Sequence, residues 1–268
     1  GNSGAGITLA NGSSNVILGN MIGVDSTGNA ALANNIGIQI NSNSDNNLIG
    51  DSVTIANRNI ISGNTQNGID ISFSAGNEIY NNFIGLGKDG NTLVGNGQNG
   101  VFLGRNSNAT QIGNGNPSNR NVISGNTQDG IHLYDVILGS LSENHIIQGN
   151  FIGTDSTGTL ARGNGSDGIE LNAFFGGAST RYNTIGGNAA NEFNVISANA
   201  AYGIRLFGES THDNTILTNY IGTDSLGNLN LANGSGGVLL SGGAHDNTFV
   251  NNRVVNHSSA GIYVDNFG

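Results

Sequence analysis

Gly130-Ile131-His132-Leu133 and, one step further on, Gly168-Ile169-Glu170-Leu171 are two of nine copies of a single pattern, Gly-Ile-x-Ile/Leu, in which Val replaces either aliphatic residue in some copies. Its glycines are Gly6, Gly37, Gly68, Gly100, Gly130, Gly168, Gly203, Gly237 and Gly261. Successive separations are 31, 31, 32, 30, 38, 35, 34 and 24 residues, so one structural unit is stacked again and again.

Within a unit the motif strand is followed by a polar corner, an Asn-x-Ile strand and a third short strand. Two unit types alternate. One contains Met21-Ile22-Gly23, Phe83-Ile84-Gly85, Phe151-Ile152-Gly153 or Tyr220-Ile221-Gly222, each trailed by a loop such as Asp25-Ser26-Thr27-Gly28. The other contains Asn59-Ile60-Ile61-Ser62-Gly63-Asn64 or its counterparts at 121–126 and 194–199.

Composition agrees. The 45 Gly are not spaced every third residue and only 1 Pro accompanies them, which excludes a collagen-like chain. The aliphatic residues come as short pairs bounded by Asn, Gly, Ser and Asp, which is strand-and-turn punctuation. No window keeps helical apolar spacing, and no apolar run approaches the roughly 20 residues of a membrane span. With 8 basic against 18 acidic residues, a net charge of −10 repels phosphate backbones and argues against nucleic acid as a partner. Cysteine is absent, so there are no disulfides or thiolate metal sites.

Blades and sandwiches need antiparallel hairpins, whereas here each strand recurs against its own copy one unit later. That predicts an all-β chain folded as a right-handed, single-stranded parallel β-helix, a solenoid of about eight to nine coils occupying residues 1–268 as one domain. Eight intervals at ~4.8 Å give a rod on the order of 40 Å long, with Ile, Val, Leu and Phe in one apolar column. Asn at the corners tolerates left-handed backbone, and Asn ladders add hydrogen bonds along the rod. Neither end carries a visible cap, which predicts a segment of a longer protein or a chain that packs against another copy of itself.

The stretches Gly-Ile-x-Ile, Asn-Val-Ile-Ser-Gly-Asn and Phe-Ile-Gly-Thr-Asp-Ser-Thr-Gly resemble the β-helix repeats of the pectin-lyase-like superfamily, especially those of large secreted or surface proteins of bacteria. The resemblance covers essentially the whole chain. It implies the fold; activity is open, since that superfamily holds lyases, hydrolases, epimerases, adhesins and tailspikes.

In Gly-Ile-x-Ile the x residue points to solvent. Down the rod these are Thr8, Gln39, Asp70, Phe102, His132, Glu170, Arg205, Leu239 and Tyr263, a single file at ~4.8 Å intervals. In the enzymes the chain resembles, extended polysaccharides lie on this face, so Asp70, His132, Glu170 and Arg205 are candidates; a ladder of exposed residues with a Glu170–Arg205 pair is the plain alternative.

Spacing sharpens the choice. Relative to their neighbours, two adjacent coils carry extra residues at one corner, around Asp135 to Leu141 and Phe174 to Ser179, with a smaller bulge near Gly208 and Glu209. These insertions hold Tyr134, Val136, Ile137, Leu138, Leu141, Phe174, Phe175 and Phe207, which either wall a ligand groove or fold back on the coil edge. Beside them, Asp129 and Asp167 precede motif glycines in consecutive coils where other units have Asn67 or Asn99. Two carboxylates one strand apart raise a pKa or hold a calcium ion; turn preference explains them equally well. Asp70 and Glu170 lie three coils apart, roughly 14 Å, too far for a glycosidase pair, whereas Asp129 or Asp167 with Glu170 stays open.

Other signals are weaker. The polygalacturonase set, the pectate-lyase arginines with their aspartate cluster, and the Tyr-Gly-x-Asp-Pro-His of alginate epimerases are all missing. The Asp25-Ser26-Thr27-Gly28 loops read as Asp-capped turns rather than calcium loops, because the fourth copy is Gly87-Lys88-Asp89-Gly90. The five His fall at no recurring spacing, and no His pair for a metal is seen.

Two functions follow. The first is an extracellular or cell-surface β-helix module, a rigid spacer that binds glycan or protein at coils five to seven through Tyr134, Asp135, Asp167, Phe174, Phe175, Phe207 and Asp70. The second is a polysaccharide lyase or hydrolase with Glu170 or Asp129 as acid or base, His132 as partner and Arg205 holding a substrate carboxylate.

Overall fold

Each coil lays down three short strands, and each strand pairs in parallel with its counterpart one coil later. A computed structural model describes residues 1–51, 54–135, 138–173 and 178–265. The described residues form a nine-stranded sheet and two eight-stranded sheets, with two single-turn 3-10 helices at Ile55–Asn57 and Pro117–Asn119. This is the right-handed parallel β-helix that the repeat predicts.

The first sheet is built from the nine motif strands, and its register is the one expected from the sequence. Thr8, Gln39, Asp70, Phe102, His132, Glu170, Arg205, Leu239 and Tyr263 are successive partners. In the coils between the two ends the aliphatic residues on either side of each point inward and are almost entirely buried, as in Ile131, Leu133, Ile169 and Leu171. Glycine heads the motif because the coils approach too closely for anything else: a Cβ on Gly130 would sit 2.6 Å from the Gly168 carbonyl oxygen and 2.8 Å from Ile152.

Three asparagine ladders run along the rod. In one, Asn20, Asn59, Asn82, Asn121, Asn150, Asn194, Asn219 and Asn252 pass amide hydrogen bonds from coil to coil. A second runs from Asn2 through Asn34, Asn64, Asn96, Asn126, Asn164 and Asn199 to Asn233. Every rung satisfies buried donors that a corner otherwise orphans.

The third ladder is interrupted. It begins Asn15, Asn47, Asn77 and resumes Asn183, Asn214, Asn247, but Thr110 and His145 hold the middle rungs. His145 Nδ1 accepts the Thr110 N–H at 3.0 Å, in the place of an Asn oxygen, and Nε2 faces Ser142 Oγ at 3.2 Å. Thr110 offers no such acceptor, and Asn77 Nδ2 is buried without a partner. Burial pulls the His145 pKa down to about 4. The unfolded imidazole takes a proton below its ordinary value near 6.5, the folded one only near 4, so stability present above 6.5 is lost as pH falls through that window. His145→Asn restores the rung and removes the penalty. Urea unfolding at pH 7 and pH 5 is expected to show the wild type losing about 2 kcal/mol more than the variant on acidification.

One expectation is corrected. The core is not a single column, because the outward residues of the third sheet are buried as well. Ile60, Phe83, Val122, Phe151 and Val195 form a second apolar cluster with Val24, Leu86 and Val94 from the loops. Flat groups lie over its aromatics: Arg58 is 3.9 Å from the Phe83 centroid, Arg120 is 4.0 Å from that of Phe151, and Phe193 stacks on Tyr220 at 4.6 Å. The loops of alternate coils cover it as small hairpins stacked on one another, with Lys88, Ser156 and Ser225 donating to the carbonyls of Gly28, Gly90 and Gly158. Asp25, Asp155 and Asp224 cap their own turns, and Asp89 does so from two positions later in its loop.

Candidate functional site

The corner that stretches between coils five and seven builds a small fourth sheet of Leu141–Glu143, Ser179–Arg181 and Thr211–His212. Beside it, on the first sheet, the structure gathers Asp129, His132, Asp167, Glu170 and Arg205. His132 Nδ1 lies 3.0 Å from Asp129 Oδ2, and its Nε2 lies 3.5 Å from Glu170 Oε2. Arg205 Nη1 lies 3.5 Å from Glu170 Oε1 and 4.0 Å from Asp167 Oδ2.

Asp129 and Asp167 occupy their places partly as ladder rungs. Asn67 accepts from Asn99, Asn99 Oδ1 accepts the Asp129 N–H, Asp129 Oδ1 accepts the Asp167 N–H, and Asp167 Oδ1 accepts the Tyr202 N–H. The turn reading is therefore right about one oxygen of each. The other oxygen of Asp129 holds the His132 ring, and that of Asp167 faces Arg205.

The three carboxyls are tuned apart. Burial pushes Asp129 up, but the hydrogen bond and charge of His132 and the Asp167 N–H outweigh it, so its pKa lies below the ordinary value. Burial raises Glu170, with the Asp129 charge adding to it and His132 and Arg205 opposing. Asp167 is pushed up to about 7, chiefly by burial, against the Tyr202 N–H and Arg205 and with the charges of Asp129 and Glu170. Environments that separate the pKa values of neighbouring acids are the mark of acid–base assignment.

A stability prediction follows from Asp167. Its carboxyl keeps a proton in the fold that it surrenders near pH 4 when unfolded, so the stability it contributes is present below 4 and is lost as pH rises through 7. Asp167→Asn keeps an acceptor for Tyr202 and never ionises. Its urea midpoint is expected to exceed that of the wild type at pH 8 and to match it near pH 4; equal profiles would mean that Arg205 compensates the charge fully.

Glu170 is only 7% exposed, contrary to the expectation that every x residue faces water. His132 and Arg205, one strand away on either side, cover it. His132 Nε2 is buried and has no hydrogen-bond partner, since the contact to Glu170 is long and poorly aligned. Asp129, His132 and Glu170 offer ligand atoms within 4.8 Å of one another, the one such group among the described residues that could converge on a cation.

A groove leads to this cluster. A cavity of about 330 Å3 is walled by Asp70, Phe102, Arg105, His132 and Tyr134, and an adjoining one of about 400 Å3 shares Gln66, Asp70 and Arg105 with it. Phe102, His132 and Tyr134 make an aromatic wall, with His132 and Tyr134 centroids 5.2 Å apart and Phe102 and His132 5.9 Å apart. Asp70 is raised by burial, opposed by hydrogen bonds from Asn67 and Ser72, and lies in the groove away from the cluster. Phe207 is half-buried, its ring 4.8 Å from the Arg205 guanidinium carbon.

Two expectations change here. Asp135 is not a groove residue: it is fully buried and braces the corner, accepting from the Asn106 N–H and the Ser140 hydroxyl. Phe174 and Phe175, with Val136 and Ile137, lie outside the described residues; Leu138, within them, is 80% exposed and does not fold back on the coil edge.

Other groups escaped the sequence reading. Gln66, Gln98 and Gln128 line the groove as a file of amides, and the signal was present as Gln two residues before three consecutive motif glycines. The His do recur once. His212 and His245 are bridge partners one coil apart, their rings parallel at 5.2 Å, and each Nδ1 faces the carboxylate of the next residue at 2.7 and 2.9 Å.

No protein-family description matches the chain, and no curated protein matches it. Among solved structures, the A-module of the Azotobacter vinelandii mannuronan C-5 epimerase AlgE4 is similar, with a TM-score of 0.50 and 14% identity over 89% of this chain. This chain spans 54% of that structure, about half its length. The likeness is one of fold. Among the described residues no helix is long and apolar enough to cross a membrane.

Proposed function

We propose that the chain acts on an extended acidic polysaccharide, which lies along the groove of the first sheet and reacts over Glu170. The observation that carries this reading is the burial of two carboxyls, Asp129 and Glu170, against one imidazole on the outward face, with a third, Asp167, facing Arg205 beside them. A spacer has no use for Asp167 and Glu170 as desolvated acids with raised pKa values on its surface, a cost that chemistry or binding would repay. A fold shared with a module named as a mannuronan epimerase is compatible with it.

The chemistry suited to these groups is removal of a proton from the sugar carbon next to a carboxylate. Arg205, about one-third exposed, holds that carboxylate and stabilises the charge that develops. Asp129 fixes the Nδ1–H form of His132, and its Nε2, buried against Glu170 in the free protein, serves as the base once the sugar enters between them. Glu170, held toward its protonated form, returns a proton to the sugar or to the leaving oxygen. Glycoside hydrolysis fits less well, because the His132 ring stands between Asp129 and Glu170 where a glycosidic oxygen and water would have to enter. The polymer substrate carries the extracellular or surface location with it.

Incubating the chain with uronate and neutral polysaccharides in heavy water tests this. Reprotonation is expected to leave solvent deuterium at the carbon beside the carboxylate of a uronate; elimination leaves no hydrogen there and is expected instead to appear as the ultraviolet absorbance of the unsaturated uronate end. Binding with neither deuterium exchange nor an unsaturated product would return the chain to the reading of a binding module.

A further inference from the structure

The third sheet carries a second cavity, remote from the groove, and its lining is unlike the rest of this acidic molecule. It measures about 280 Å3 and is enclosed by Gly19, Met21, Ala56, Arg58, Ile60 and Lys88. Two of the chain's 8 basic residues meet there, one of them its only lysine, and among the described residues no acid lines it.

We propose that this cavity is a binding site for a small carboxylate built on a single ring, its charge received by Arg58 and Lys88 and its apolar face set against Met21 and Ile60. Arg58 is prepared for that role. Its guanidinium lies over the Phe83 ring at 3.9 Å and its Nε donates to Asn81 Oδ1 at 2.9 Å, which fixes the plane of the fork. Burial pulls its pKa below the ordinary value, the mark of a cation that has lost water.

Among the described residues neither cation is neutralised from within. Among the described residues the arginine ion pairs are made by Arg181 and Arg205, and neither Arg58 nor Lys88 has a carboxylate partner. Asp25 Oδ1 and both oxygens of Asp89, the acids of the flanking hairpins, accept from their own turns, and neither acid forms an ion pair with Arg58 or Lys88.

The repeat supplies an internal control. Two coils on, Arg120 lies over Phe151 in the same way, but Ser156 takes the place of Lys88, so that position has one cation and not two. Lys88 is therefore an addition to the repeat and not part of it. The volume sits just under the ~300 Å3 at which ligand pockets begin, which limits the occupant to about one ring.

Titration calorimetry at low salt with sodium benzoate and sodium glucuronate tests the assignment and separates a free aromatic acid from a sugar acid. Saturable binding of at least one is expected, about tenfold weaker in Lys88→Ala, weaker again in Arg58→Gln, and weakened by added salt. Lys88 is exposed at a hairpin, so its variant keeps the fold even if Arg58→Gln does not. No saturable binding of either acid, or binding untouched by Lys88→Ala, overturns the proposal.

Discussion

Glu170→Gln is expected to reduce deuterium exchange into a uronate polysaccharide by at least about 100-fold, the lower end of what a positioned acid or base supplies, without any loss of resistance to urea. The two halves of this result are linked. Glu170 is buried and its pKa is raised, so at neutral pH the fold holds an acid that would be better off in water. For an acid raised in this way, stability is present at low pH and is lost as pH rises through the folded value. Glutamine has the same shape and no charge, and it relieves that cost. A Glu170 whose purpose was to pair with Arg205 would behave in the opposite way, giving up stability on replacement. Measuring exchange and urea midpoint on the same preparation at pH 8 separates the two roles.

Asn121→Ala is expected to be the most destabilising single change in the rod, at about 3 to 5 kcal/mol, read as a fall in urea midpoint at unchanged slope. Asn121 is fully buried. Its Oδ1 accepts from the backbone and side-chain amides of Asn82 at 3.0 Å each, and its Nδ2 donates to the Ile79 carbonyl at 2.8 Å and to Asn150 Oδ1 at 2.9 Å. Truncation orphans several buried groups at once, and water has no route to them. Asn247→Ala, on a half-buried rung of the interrupted ladder, is expected to cost less than half as much, because solvent can take over there. In a solenoid whose coils touch only their neighbours, such losses stay local until a coil opens.

The register of the first sheet could be read directly, because Gly-Ile-x-Ile marks the same rung in all nine coils and a parallel stack leaves no freedom to slip. The position of the site followed from that register and from the stretched spacing at coils five and six. The surroundings of the site were not legible. Strand alternation places Glu170 outward, and only the contact of His132 and Arg205 across neighbouring strands shows that outward is not exposed. Asp135 looked like a loop carboxylate until the corner closed over it. The second apolar cluster was hidden because the outward residues of the third sheet are covered by hairpins from alternate coils, a contact between segments that no local pattern records. His212 and His245 seemed unrelated, although their 33-residue separation is one coil.

The most direct measurement is a crystal structure of the Glu170→Gln variant soaked with a uronate oligosaccharide. The account predicts sugar rings along the groove past Phe102 and Tyr134, with a carboxylate on Arg205 and the adjacent ring carbon facing His132. An oligosaccharide bound on another face of the rod, with the His132 cluster untouched, would contradict it.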